Sequence, residues 1–302
     1  MDAKIFIDGQ AGTTGLGIAR RLEAEPGIRL VTLAEFQRKS PAARADAMAS
    51  ADVTILCLPD DAAIEAVALA PPAARILDAS TAHRTAPGWV YGFPELDAAQ
   101  PARIAAAARV SNPGCYATGA IALLRPLINA GLLPADHDVT INAVSGYSGG
   151  GKAMIAEHEA AGGPPLELYA LTLAHKHIPE IMAASGLTRR PIFSPSVGHF
   201  AQGMLVSIPL FLDRLPGNPS GHELAEALHE RYSRSETVIP PSGIYSGTLT
   251  PEALNGTNRM ELFVCANGRH HQAILIARLD NLGKGASGAA VQNLTLMLGG
   301  PE

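Results

Sequence analysis

Cys115 stands where a thiol is most readily made into a nucleophile. The run Ser111-Asn112-Pro113-Gly114-Cys115-Tyr116-Ala117-Thr118-Gly119-Ala120 passes from turn-forming residues straight into an apolar helical pattern. A cysteine at a helix N-terminus meets unpaired backbone N–H groups and the positive end of the helix dipole, and both favour thiolate over thiol. The competing reading is a small apolar side chain that closes a helix start. Cys57, in Val53-Thr54-Ile55-Leu56-Cys57-Leu58, and Cys265, in Leu262-Phe263-Val264-Cys265, lie in strand-like runs and read as packing residues.

A second cluster, Ala174-His175-Lys176-His177-Ile178-Pro179-Glu180, is dense in titratable groups for a chain that is only 17% charged. Two histidines two apart share one face of an extended segment, and Pro179 argues against a helix running through them. Imidazole titrates near neutrality, so the segment suits a general acid/base working on Cys115. His177 is then the proton carrier, with Glu180 or a backbone group fixing its tautomer. His199 is a competing base, and surface histidines without a role are the bland alternative. A metal on His175, His177 and Glu180 lacks further cysteine or carboxylate ligands nearby in the sequence, so no metal is expected.

Two segments offer groups for an anionic substrate. In Asp78-Ala79-Ser80-Thr81-Ala82-His83-Arg84, Arg84 can present paired N–H donors to a carboxylate or phosphate, with Ser80 assisting. The loop Ser145-Gly146-Tyr147-Ser148-Gly149-Gly150-Gly151-Lys152 reads as an anion cradle of backbone N–H groups, hydroxyls and one cation. It is not a Walker A loop, because Ala153 follows Lys152. Either segment also fits a surface turn with a chance charge.

The elements that must position these groups follow from hydrophobic periodicity. Short apolar runs at 5–7, 28–33, 53–58 and 75–78 alternate with helical stretches at 13–24, 42–49 and 62–70, the βαβ rhythm of an open parallel sheet. Runs at 139–145, 204–211, 259–266 and 273–280 predict a second, mostly antiparallel sheet. An amphipathic helix over 285–298 is expected to return to the first domain. The boundary between the two domains falls at 112–115.

Between the first strand and first helix stands Asp8-Gly9-Gln10-Ala11-Gly12-Thr13-Thr14-Gly15-Leu16-Gly17. Its glycines allow a tight turn and close approach of backbone to a pyrophosphate at the helix N-terminus. A glycine-rich packing turn is the alternative. Glu35 could accept from a ribose 2′-hydroxyl, as for NAD, whereas Arg38 and Lys39 could neutralise a 2′-phosphate, as for NADP; solvated loop charges fit equally well.

Composition narrows the class. A chain of 302 residues, 47% hydrophobic and with net charge -5, is an ordinary globular protein with room for two domains. No basic stripe argues for nucleic acid, and a single Trp89 gives no platform for stacking bases. An odd number of scattered cysteines argues against a disulfide framework. With no signal-peptide pattern and no run of membrane-spanning length, a cytoplasmic protein without membrane contact is expected.

In combination, Gly9 to Gly15, Cys57-Leu58-Pro59-Asp60-Asp61, Ser80 to Arg84, Tyr91-Gly92-Phe93-Pro94-Glu95-Leu96, Ser111 to Thr118 and His175 to Glu180 resemble the N-acetyl-gamma-glutamyl-phosphate reductases of arginine biosynthesis, in their compact class. The likeness spans nearly the whole chain and includes the stretch Gly285 to Asn293. It implies an α/β fold: a Rossmann-type dinucleotide-binding domain (1–114 and 285–302) and an α+β catalytic and oligomerisation domain (115–284). It further implies NADP as cofactor, held by Gly9, Gly12, Thr13, Thr14, Gly15, Arg38, Lys39, Cys57, Pro59 and Asn293. Cys115 is then the catalytic cysteine, His177 the acid/base and Glu180 its neighbour. Ser80, Arg84, Asn112, Ser148, Lys152 and His175 would bind a small acyl phosphate, in a homo-oligomer that is a dimer or a tetramer. An aspartate-semialdehyde dehydrogenase is the nearest competing enzyme, and a non-catalytic NADP-binding redox sensor the competing non-enzyme.

Overall fold

The computed structural model describes residues 2–23 and 25–300. The chain divides into two compact units, Met1–Pro113 with Ala286–Glu302, and Gly114–Gly285.

The first unit opens with β1 (Ala3–Asp8), α1 (Thr13–Leu22), β2 (Ile28–Val31), α2 (Pro41–Ser50), β3 (Val53–Leu56) and α3 (Asp60–Leu69). It continues with β4 (Ile76–Asp78), β5 (Val90–Tyr91), α4 (Gln100–Ala106) and β6 (Arg109–Ser111). All pairings are parallel, in the order β2-β1-β3-β4-β6-β5. Helices cover both faces, so β3 and β4 are buried at every residue, which explains their continuous apolar runs. The α1 helix buries Gly15, Ile18, Ala19 and Leu22, one stripe at helical spacing, and places Arg20 and Arg21 in its last turn, where the dipole favours cations. Its expected last residue, Ala24, lies outside the described residues.

The expected strand 28–33 stops at Val31. Glu35–Gln37 form a 3-10 turn, so Glu35, Arg38 and Lys39 stand beyond the strand rather than on it. Strands β5 and β6 were not anticipated: at two and three residues they are too short to show a period.

The second unit contains α5 (Cys115–Asn129), β7 (Thr140–Gly146), α6 (Gly151–Ala161), β8 (Leu166–Leu168), α7 (Ile178–Ser185), β9 (Ile192–Gly198) and β10 (Met204–Phe211). After these come α8 (Gly221–Tyr232), β11 (Val238–Ile239), β12 (Met260–Asn267) and β13 (Gln272–Leu279). The sheet runs β11-β12-β13-β10-β7-β9-β8 and is antiparallel except at β7–β9 and β11–β12. Strand β9, Ile-Phe-Ser-Pro-Ser-Val-Gly, was missed because Pro195, two serines and a glycine mask its strand character. Gly119 lets α5 lie directly on the sheet: a Cβ there would stand 2.9 Å from Val206 and 3.3 Å from Ala277.

The last helix, α9 (Gly288–Met297), belongs to the first unit. It is preceded by a π-helical turn at Gly283–Ser287. Contrary to the amphipathic expectation, α9 buries Gly288, Ala289, Ala290, Asn293, Leu294, Leu296 and Met297, more than one face, within the core of Ile5, Ile18 and Val110.

Candidate active site

Sheet register in the first unit sets Asp8, Leu56, Asp78 and Ser111 side by side on β1, β3, β4 and β6. The residues that follow, Gly9, Cys57, Ala79 and Asn112, therefore all emerge at one carboxyl edge. Main-chain bonds continue the row: Cys57 N–H to Asp8 O at 2.8 Å, Ala79 N–H to Leu56 O at 2.9 Å, and Asn112 N–H to Asp78 O at 2.7 Å. Carboxyl edges of parallel sheets are where ligands bind, at the point where strand order reverses, here between β1 and β3.

Gly9 sits at that point with φ +85°, and a Cβ on it would lie 2.3 Å from the Cys57 carbonyl oxygen. A Cβ on Gly15 would stand 2.7 Å from the Gly9 oxygen, so two of the glycines are required by close approach. Gly12 is the N-cap of α1, and no acidic residue in the first turn competes for its N–H groups. A pocket of about 140 Å³ beside the loop is lined by Gly9, Gln10, Ala11, Thr32, Leu33 and Arg38 among others. Of the two predicted cations, Arg38 faces this pocket and Lys39 does not. The Cys57 thiol is pushed up to about 12 by burial and by the Asp78 and Asp8 charges, which keeps it protonated at neutral pH.

Asn293 donates through Nδ2 to Gly92 O at 2.8 Å and to Asn112 Oδ1 at 3.0 Å, leaving its buried Oδ1 as an acceptor with no partner. An unsatisfied buried acceptor beside a nucleotide-type carboxyl edge fits a ligand with an amide donor, such as the carboxamide of a nicotinamide. Ser80 and Arg84 are placed at the same edge with their groups already engaged. Ser80 donates to Asp78 Oδ2 at 2.6 Å, and the Arg84 guanidinium holds Asn112 O at 3.0 Å and Ala79 O at 3.4 Å. The paired donors expected to face an anion thus brace the main chain that leads to Cys115.

In the second unit Cys115 is the first residue of α5, with Gly114 as N-cap. Among the described residues no cysteine is in a disulfide. The Gly114 N–H donates to Glu180 Oε2 at 3.0 Å, and Glu180 Oε1 lies 4.0 Å from His177 Nε2. The carboxylate therefore ties the start of the cysteine helix to the histidine segment, where the dipole of α5 also favours it. Tyr116, next to Cys115, packs its ring 5.9 Å from His175 and 5.8 Å from His177. His175, His177 and Glu180 are all buried.

The histidine segment is not extended as expected. His177 has αR backbone (φ -82°, ψ -13°) and caps α7, with Pro179 in the first turn, where a missing N–H costs nothing. The turn folds the two imidazoles together, 4.6 Å between centroids. Sequence reasoning also missed Tyr169 and Gly285. Burial pushes the Tyr169 hydroxyl up to about 12, with the hydrogen bond it shares with Tyr116 opposing and the Cys115 charge adding. A Cβ on Gly285 would stand 2.8 Å from that of Cys115. Neither position carries a local signal, since both contacts join distant parts of the chain.

The loop 145–152 is not an open cradle. N–H groups of Gly146, Tyr147 and Ser148 are spent on the carbonyls of Gly203, Phe200 and Ala201, and Ser148 Oγ accepts from Asn281 Nδ2 at 3.0 Å. Lys152 is exposed in the first turn of α6. The competing base His199 pairs its Nδ1 with that of His158 at 2.9 Å and groups with Tyr147 instead. Among the described residues no three His, Cys, Asp or Glu side chains gather as metal ligands, and no helix is long and apolar enough to cross a membrane.

Residues 115–281 match the semialdehyde dehydrogenase dimerisation domain. Across 98% of this chain and 96% of the relative, the sequence is 56% identical to N-acetyl-gamma-glutamyl-phosphate reductase 2 of Pseudomonas putida. It is 53% identical to the N-acetyl-gamma-glutamyl-phosphate reductase of a Chelativorans species, over 99% of each. Among solved structures, the aspartate-semialdehyde dehydrogenase II of Vibrio cholerae, complexed with ASA, superposes with TM-score 0.72 at 13% identity, covering 99% and 98% of the two chains. The aspartate-semialdehyde dehydrogenase of Candida albicans, solved with NADP, gives 0.68 at 12% identity over 99% of each. These structures share the fold alone; the sequence relatives go further, and the chain belongs to the N-acetyl-gamma-glutamyl-phosphate reductase family.

Proposed function

We propose that this chain reduces N-acetyl-L-glutamyl 5-phosphate to N-acetyl-L-glutamate 5-semialdehyde in arginine biosynthesis, with NADPH as reductant and phosphate as leaving group. The substrate follows the names of the full-length relatives. The observation that carries the mechanism is the assembly of Cys115, His177 and Glu180 around the first turn of α5.

The Cys115 thiolate attacks the acyl carbon, a C–S bond forms, the C–O bond to phosphate breaks, and a thioester remains on the enzyme. When bound, NADPH supplies the hydride that reduces this thioester. His177 supplies the proton for the resulting oxyanion and takes it back as the thiohemiacetal collapses, which releases aldehyde and returns the thiolate. Glu180 holds His177 and the Gly114 N–H in place, while N–H groups of the first turn of α5 face the developing oxyanion. In the first unit Gly9, Gly12, Thr13, Thr14 and Gly15, with Cys57 and Pro59, would cradle the pyrophosphate. Arg38 would meet the 2′-phosphate of NADP and Asn293 the nicotinamide amide. Ser80, Arg84, Asn112, Ser148, Lys152 and His175 remain the substrate-side residues of this reading, several of them through the main chain they brace.

A homo-oligomer is part of the same reading. Alternating burial along β10, β12 and β13 leaves one face of the second sheet, with Asn142, Leu205, Ser207, Cys265 and Ile276, half-buried or exposed. The matched dimerisation domain supports pairing with a second copy. A cytoplasmic location follows from the biosynthetic role.

The test is oxidation of N-acetylglutamate 5-semialdehyde with NADP or NAD, with and without phosphate. Phosphate-dependent NADP reduction is expected, with aspartate semialdehyde a poor substitute. Turnover that ignores phosphate, or that prefers aspartate semialdehyde, overturns the assignment.

A further inference from the structure

The hydrogen-bond directions around His175 are fixed by groups that can only donate or only accept. The main-chain N–H of His177 donates to His175 Nδ1 at 3.0 Å. A ring nitrogen that accepts from an amide carries no proton, so neutral His175 bears its hydrogen on Nε2. That nitrogen lies 3.4 Å from the Tyr169 hydroxyl and donates to it. The Tyr116 hydroxyl is committed elsewhere, to the Ser196 carbonyl at 3.0 Å. The Nε2–H of His175 therefore has the Tyr169 oxygen as its acceptor.

We propose that Tyr169 is a positioning residue: through His175 it locks the Nε2–H tautomer, holds the main chain of His177, and so reserves His177 as the proton carrier. This rests on Cys115 and the histidine segment forming the active site. With both ring nitrogens engaged, His175 has no site left from which to exchange a proton with a substrate. The backbone around Tyr169 is built for this task. Its N–H donates to Pro195 O at 3.3 Å on β9, and the turn that follows, closed by Leu173 N–H to Ala170 O at 3.0 Å, has left-handed φ at two non-glycine residues, Ala170 (51°) and Leu173 (58°). Such conformations persist where surrounding contacts over-determine them, commonly at functional sites.

Nitrogen-15 NMR of the histidine rings in the full-length protein reads the tautomer without any turnover. The native protein should show His175 as the Nε2–H form at neutral pH, and Tyr169→Phe a mixture of tautomers. The same variant should lower kcat by about tenfold while KM stays within about twofold, the signature of misplacement rather than lost binding. His175→Asn keeps an acceptor for the His177 N–H but loses the Tyr169 link and any base, and should lower kcat by about tenfold, as Tyr169→Phe does, whereas His177→Asn should lose about a thousandfold. An Nδ1–H tautomer for His175 in the native protein, or equal losses in His175→Asn and His177→Asn, overturns the proposal. If the enzyme proves to act on another substrate, the tautomer measurement still decides it.

Discussion

At the carboxyl edge of the first sheet the groups that matter are main chain: glycines at Gly9, Gly12 and Gly15, the N–H groups of α1, and carbonyls in a row set by strand register. Around Cys115 they are side chains drawn from α5, the turn before α7 and the segment after β8. The two cysteines nearest these regions mark the contrast. Cys57 follows β3 within the field of Asp78 and Asp8, and its thiol is held near 12, whereas Cys115 opens a helix at its positive end. One region shapes a backbone surface for a ligand; the other concentrates reactive groups at a single atom.

The sharpest way to break this contrast is to compare the two thiols. At pH 8 a thiol near 12 is ionised to about one part in ten thousand, so iodoacetamide should label Cys115 and spare Cys57. Mass spectrometry of the modified peptides checks this. Cys115→Ser should lower kcat by at least about a thousandfold, since the alkoxide is rarely formed, while NADPH binding followed by fluorescence stays near native. Turnover retained in that variant would remove the covalent route. Labelling of Cys57 at a similar rate would remove the electrostatic distinction.

A smaller effect separates the units from the other side. Gly9→Ala must place a Cβ 2.3 Å from a carbonyl oxygen at a φ of +85°, which costs about 1–3 kcal/mol in strain alone. NADPH affinity and the urea midpoint should both fall, and the alkylation rate of Cys115 should not. A Cys115 rate that dropped in step with NADPH affinity would mean the two regions are not separable in this way.

What the sequence disclosed follows the same line. The Gly9–Gly15 loop was legible because its requirement is local: strand, glycines and helix all lie between Ala3 and Leu22. Cys115 was legible for the same reason, since turn residues and helix start adjoin it. The connection of Glu180 to Gly114 spans sixty-six residues, and the bond from Tyr116 to the Ser196 carbonyl joins α5 to strand β9, which Pro195 hid. Local periodicity carries no information about such contacts. The loop 145–152 misled for a related reason. An adjacent loop, 200–203, consumes the N–H groups of Gly146, Tyr147 and Ser148, which local sequence does not reveal.

The smallest expected change tests whether Glu180 acts by charge or by shape. Glu180→Gln keeps an oxygen for the Gly114 N–H at the same reach, so the start of α5 should hold its geometry and stability should change by no more than about 1 kcal/mol. What is lost is the negative charge 4.0 Å from His177 Nε2. A carboxylate there pairs with the imidazolium, so its removal should weaken the hold of the ring on the proton it donates. A unit charge 4.0 Å away is worth about 1 kcal/mol even at the dielectric of water, so kcat at pH 7 should fall by at least about fivefold. The fall should deepen toward alkaline pH, where imidazolium is scarcer. A pH–rate profile separates the cases. A loss that is the same at every pH assigns Glu180 to structure, and one that grows as pH rises assigns it to the proton on His177.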